Sequence, residues 1–109
     1  MDLSDLPTPG LVLDRQRLRA NTEAMAARLQ SHDVILRPHA KTAKSVHVAR
    51  IASGNEANGL AVSTLQEAKY FLDHGFTDLV YAVCIAPGKL DELGSLYTCG
   101  ADLKIITDN

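Results

Sequence analysis

Four apolar stretches suited to strands begin near Val34, Gly59, Leu79 and Leu103, about 20 to 25 residues apart, with helical periodicity between them. This recurrence constrains the chain more than any other feature. Strands that alternate with helices at such a spacing build repeated βα units and a parallel sheet, which is the α/β class. The joints repeat as well: "HGFTDLVYA" and "CGADLKIIT" share the order of helix stop, Asp, Leu and apolar strand.

Capping signals set the expected element ends. After the turn-rich "LPTPG", "LVLD" reads as a short strand over 11–14, and Asp14 is an N-cap for the amphipathic helix "RQRLRANTEAMAARLQSH", with Leu18, Met25 and Leu29 at helical spacing. "VILR" is the next strand. Ser45 is placed to cap a helix "VHVARIAS" that stops at Gly54, and "GLAVS" follows as a strand. Thr64 and Glu67 form a capping box that opens "LQEAKYFLDH", which Gly75 ends. "DLVYAV", a helix "GKLDELGSLYTC" ending at Gly100, and the strand "DLKIIT" complete the pattern.

Two parallel architectures compete for this pattern. A doubly wound dinucleotide-binding sheet carries G-x-G-x-x-G after its first strand, and the sequence has no such fingerprint. A (β/α)8 barrel places functional residues at strand C-terminal ends and spans about 250 residues. Four strands are half of eight, so residues 1–109 are expected to form a truncated first half of a TIM-type barrel, with sheet edges near 34–37 and 103–107 open to association.

Charge and composition remove several function classes. A formal net charge of -2 and a pI near 6.0 give no broad basic surface for nucleic acid. No run approaches the ~18 apolar residues of a membrane span, and "MDLSDLPTPG" lacks the features of a signal peptide, so a cytoplasmic setting is expected. Cys84 and Cys99 have no C-x-x-C or metal-ligand spacing and are expected to be reduced and buried. His32, His39, His47 and His74 show no metal-ligand spacing either, so no metal ligand is assigned within the chain.

Against this neutral background, "RPHAKTAK" packs Arg37, His39, Lys41 and Lys44 into eight residues at a strand end. Side chains alternate along a strand, so Val34 and Leu36 share a helix-facing side while Arg37, His39 and Lys41 look into the barrel. Pro38 lacks an N–H and belongs at a strand end or edge. A lysine in a desolvated barrel mouth is a candidate amine nucleophile that forms a Schiff base with a carbonyl such as pyridoxal 5'-phosphate. A guanidinium inside a barrel requires a carboxylate, so Arg37 is given a supporting role. His39 either contacts the cofactor or is a structural histidine satisfied by the backbone. Lys44 is expected to be a surface residue leading into the next helix. Ser63 and Thr64 serve as helix cap, and Asp108 and Asn109 close the fourth strand.

The order "TPGLVLD", long helix, "LRPHAKTAKS", then "GLAVSTLQEAKYFLDHGFTDLVYA" resembles the N-terminal part of the D-threonine aldolase and D-serine dehydratase family, which has the alanine-racemase-like fold of pyridoxal-phosphate enzymes. The resemblance runs over nearly the whole chain, and "RPHAKT" is its most distinctive segment. It implies a lyase acting on β-hydroxy D-amino acids, with Lys41 forming the internal aldimine. It also implies a divalent metal, Zn or Mn, with ligands in a C-terminal β-domain outside these residues, and a homo-oligomer such as a dimer. Family members often read His-x-Lys-Thr-His-Lys here, whereas Ala43 replaces the second histidine. An amino-acid racemase of the same fold, or a non-catalytic pyridoxal-phosphate-binding homeostasis protein, remain alternatives.

Overall fold

The computed structural model describes residues 2–54 and 59–108. Helices α1 (Arg15–Gln30), α2 (Val46–Ala52), α3 (Leu65–Asp73) and α4 (Leu90–Thr98) alternate with strands β1 (Leu60–Val62), β2 (Asp78–Cys84) and β3 (Asp102–Ile106). The strands pair in parallel in the order β1-β2-β3. A single parallel bridge, His39 to Ala61, adds the segment before α2 to the outer side of β1. Four successive parallel segments thus lie in sequence order, as barrel units do.

One face of this sheet makes the core. Leu60 pairs with Leu79, and Val62 with Tyr81, and all four side chains are buried with Leu65, Ala68 and Phe71 of α3. In α3 these residues fall at i, i+3 and i+6, a stripe that faces the sheet. Phe71 is fully buried, with Phe76 edge-on at 5.9 Å and Tyr70 edge-on at 5.0 Å. Each such large side chain contributes about 1.5–3 kcal/mol by leaving water.

The repeated joints have one geometry. At the end of α3 the Gly75 N–H donates to Leu72 O at 3.0 Å and the Phe76 N–H to Phe71 O at 3.0 Å; at the end of α4, Gly100 donates to Tyr97 O and Ala101 to Leu96 O. Gly75 and Gly100 both sit at φ 96°, where a side chain is strained. This double return of the chain satisfies two terminal carbonyls and delivers the next strand onto the sheet. The recurrence of helix stop, Asp and Leu in the sequence is this turn used twice.

Five expectations need correction. Residues 11–14 form no strand: Leu11, Val12 and Leu13 are exposed and pair with nothing among the described residues. The segment 34–37 is not a strand either. In the register of the bridge, Arg37 lies opposite Gly59, and residues further back would face 55–58, which are outside the described residues. Helix α1 forms, with the Asp14 carboxylate accepting the Arg17 N–H at 2.9 Å, yet none of its residues is buried. It packs on α2, so Leu18 and Leu29 are half-buried while Met25 is exposed. Ser45 begins α2 without a side-chain cap bond. Finally, Cys84 and Cys99 are free and exposed, one at the end of β2 and the other just past α4, where nothing covers the thiols. Asn109 lies outside the described residues.

Candidate active site

The side of the sheet away from the helices carries Asp78, Val80 and Lys104, which alternate with the buried Leu79 and Tyr81. Parallel pairing puts partners on one face, so His39, opposite Ala61, belongs to this side, and Arg37 joins it two residues earlier. Here the expected alternation of Arg37 and His39 holds, although the pairing is reduced to one bridge. Pro38 O accepts the Ala61 N–H at 3.0 Å and Ala40 N–H donates to Ala61 O at 2.9 Å, so Pro38 uses its acceptor and loses nothing by lacking a donor.

At the N-terminal end of the sheet the charges neutralise one another. Arg37 Nη2 donates to Asp78 Oδ2 at 2.8 Å, and Lys104 Nζ reaches Asp78 Oδ1 and Asp102 Oδ2 at 2.7 Å each. Hydrogen bonds from Arg37 hold the Asp78 carboxyl below the usual carboxylate range, against the opposing effect of burial. Asp78 is the carboxylate that the sequence required for Arg37 without identifying it. Two cations face two carboxylates, so this floor presents no net charge.

At the opposite end, beyond the bridge, residues 40–43 turn and carry Lys41. The turn closes where the Lys44 N–H donates to Ala40 O at 2.9 Å. Lys41 is exposed, and its backbone N–H donates to His39 Nδ1 at 3.3 Å. A neutral imidazole that accepts at Nδ1 carries its proton on Nε2, so His39 keeps a donor for another group. One ring nitrogen of His39 thus accepts from the backbone, and the other is unpartnered among the described residues.

The five lysines separate by what their ammonium groups touch. Lys44 pairs with Glu67, Lys69 with Asp73, Lys104 with Asp78 and Asp102, and Lys89 donates to the Tyr81 hydroxyl at 2.9 Å. Lys41 is the one whose amine meets no acceptor among the described residues. Sequence reasoning did not foresee the Lys44–Glu67 pair, because residues 23 positions apart meet only once the segment before α2 lies beside β1.

His32, His47 and His74 are exposed, and His74 Nδ1 lies 2.7 Å from Tyr70 O at the end of α3. Among the described residues no group of three or more His, Cys, Asp and Glu side chains is placed to hold a metal ion. No helix of the described residues is long and apolar enough to cross a membrane.

Comparison with known proteins places this geometry in a family. Residues 13–99 match the alanine racemase N-terminal domain. D-threo-3-hydroxyaspartate dehydratase of Delftia sp. is 44% identical over 107 residues, which are 98% of this chain and 28% of that protein. D-threonine aldolase of Arthrobacter sp. is 36% identical over 98% of the chain and 28% of its own length, and D-serine dehydratase of Dictyostelium discoideum 33% identical over 99% and 28%. The solved structure of the Delftia dehydratase superposes with a TM-score of 0.90 over 96% of this chain and 28% of its own, and a variant of it is described in a metal-free form. D-threonine aldolase from Filomicrobium marinum, 30% identical, superposes with a TM-score of 0.86 over 98% of this chain and 29% of its own. The chain spans under a third of the length of these relatives. With its parallel α/β fold, part of a TIM-type barrel, the chain belongs to the alanine racemase N-terminal domain family.

Proposed function

We propose that this chain supplies the cofactor-attachment segment of a pyridoxal-phosphate-dependent lyase acting on β-hydroxy D-amino acids, with Lys41 as the residue that carries the cofactor. One observation supports this above the others: at the C-terminal end of the first barrel segment stands a lysine whose amine, alone of five, is committed to no partner among the described residues. An amine that must condense with an aldehyde cannot remain tied to a carboxylate, so the donor set suits pyridoxal 5'-phosphate.

In this reading Lys41 holds the cofactor covalently through its ε-amine, and the Nε2–H of His39 supplies a neighbouring donor. The cofactor, when bound, supplies an electron sink for the bond broken at the amino acid. Arg37, Asp78 and Lys104 stay on the floor of the site as a balanced network and fix the strands beneath it. The relatives' names point to the substrate class: D-threonine, D-serine and 3-hydroxy-D-aspartate are all D-amino acids with a β-hydroxyl. A divalent metal, Zn or Mn, belongs to the same reading, with ligands outside this chain. So do the remaining barrel with a C-terminal β-domain, a cytoplasmic setting and a homodimer; the exposed Ile105 and Ile106 on the open edge of β3 need a partner strand.

The full-length protein tests this directly. Incubated with D-threonine, D-serine or D-threo-3-hydroxyaspartate and a divalent metal, it should release glycine plus acetaldehyde, or ammonia plus a 2-oxo acid. Formation of the L-isomer alone would instead make it a racemase. Bound cofactor without turnover of any of these would point to a homeostasis protein. A Lys41→Ala variant that still gives a borohydride-reducible adduct would overturn the attachment site.

A further inference from the structure

Lys44 stands in the left-handed region at φ 46°, which costs a non-glycine residue about 1–2 kcal/mol. Such a conformation persists only where its surroundings hold it. Its N–H closes the turn on Ala40 O, and its ammonium lies 3.3 Å from Glu67 Oε1. The Lys44 side chain is 65% exposed, whereas that of Glu67 is 9% exposed. The other Glu67 oxygen accepts the Ser63 N–H at 2.8 Å, and the Glu67 N–H donates to Thr64 Oγ1 at 3.0 Å, so the carboxylate is fixed to the first turn of α3. The following residue but one is also tied to α3, because the Val46 N–H donates to the Tyr70 hydroxyl.

The turn that carries Lys41 is therefore pinned at two points. Ala40 is held to β1 by the Ala40–Ala61 bond, and Lys44 is held to α3 by Glu67. Lys41, Thr42 and Ala43 span the interval, and Lys41 has no side-chain anchor among the described residues. We propose that the Lys44–Glu67 ion pair is a positioning device for Lys41: it locks the left-handed residue that closes the turn and so fixes where the Lys41 amine stands. Lys44 and Glu67 act through the backbone and touch no reacting atom. This inference rests on Lys41 being the cofactor-bearing residue.

The test uses the full-length protein, pyridoxal 5'-phosphate as probe, and the variants Lys44→Met, Lys44→Gly, Lys44→Arg and Glu67→Gln. Retention is read from the visible band of the bound cofactor on dilution. Its fixed orientation is read from the circular dichroism of that band per mole bound, and thermal midpoints report folding. Lys44→Met and Glu67→Gln should retain the cofactor about tenfold more weakly, since small misplacements of a reacting group carry large effects, and should lose at least half of the dichroism. Lys44→Arg should restore both. Lys44→Gly is the deciding variant: glycine suits φ 46°, so it should fold as well as the parent yet retain the cofactor as poorly as Lys44→Met. A Lys44→Gly or Lys44→Met protein with parental retention and dichroism overturns the proposal. Peptide mapping of the borohydride-reduced parent separates the two failures. An adduct on Lys41 with unaffected variants overturns the positioning role alone, whereas an adduct on another residue overturns the Lys41 reading and this role with it.

Discussion

Arg37 reaches Asp78 across Gly59. The Arg37 Nε donates to both Asp78 carboxylate oxygens at 3.1 Å and Nη2 to Oδ2 at 2.8 Å, although β1 lies between the two residues in the sheet. Continuing the His39–Ala61 register by two residues and the Leu60–Leu79 register by one puts Arg37, Gly59 and Asp78 on a single rung. The missing side chain at Gly59 is what lets the guanidinium and the carboxylate meet.

That rung predicts a pH-dependent stability. The folded-state value of Asp78 is depressed, first by the Arg37 hydrogen bonds and then by Lys104, with burial opposing them. A depressed carboxyl stabilises the fold fully above its unfolded value near 4, and the contribution is lost as pH falls through the lower folded value. Asp78→Asn should therefore cost about 1–2 kcal/mol at pH 7, reduced from the fully buried case because the pair is partly solvated. Urea titrations should show the gap between variant and parent closing as pH falls below about 4. A gap of constant size from pH 7 to pH 3 would contradict the assignment.

Gly59→Ala carries a steric prediction. An added Cβ would fall 2.5 Å from Asp78 Cγ and against the Asp78 carbonyl oxygen. The carboxylate can swing aside, but the carbonyl belongs to the β2 backbone. Overpacking of this kind costs about 1–3 kcal/mol. The loss should persist in an Asp78→Ala background, because the carbonyl remains there. Full relief of the Gly59→Ala penalty in that background would show that only the side chain had been in the way.

The two helix starts that look alike in sequence should respond differently. Thr64 Oγ1 accepts the Glu67 N–H at 3.0 Å, whereas Ser45 makes no cap bond. Thr64→Ala should lower stability by about 0.5–2 kcal/mol with Thr64→Ser close to the parent. Ser45→Ala should be near neutral. Chemical denaturation of the three variants checks the contrast, and equal losses at both positions would refute it.

The fold class was legible because every βα joint is local: cap, apolar stripe, glycine stop and strand lie within one repeat, as Thr64, Leu65, Ala68, Phe71 and Gly75 do. Lys41 was singled out as following an apolar segment expected to be a strand, and the structure sets it in the turn just beyond the His39 bridge. What could not be read depends on pairing between repeats. The strand over 34–37 was expected from its apolar residues, but a ladder needs a neighbour in register, and among the described residues this segment pairs through the His39–Ala61 bridge. Cys84 looked like packing because it ends an apolar strand, yet two residues of β2, Ala82 and Val83, fall in an irregular register there and the thiol is left exposed. The partners Asp78 for Arg37 and Glu67 for Lys44 likewise lie on later repeats, and their choice rests on register and not on spacing.

Lys41 should separate function from stability. Its side chain is exposed and its amine has no partner among the described residues, so the folded chain draws no side-chain energy from it. Surface substitutions of this kind usually fall within about 0.5 kcal/mol of the parent. Lys41→Ala in the full-length protein should then unfold at the parental denaturant concentration while losing the borohydride-reducible cofactor adduct and turnover together. His39→Ala makes a second, graded comparison. It removes the acceptor for the Lys41 N–H, a bond with a net worth of about 0.5–1.5 kcal/mol, and should weaken cofactor retention without abolishing the adduct. A Lys41→Ala protein that is destabilised by several kcal/mol would instead make Lys41 a structural residue.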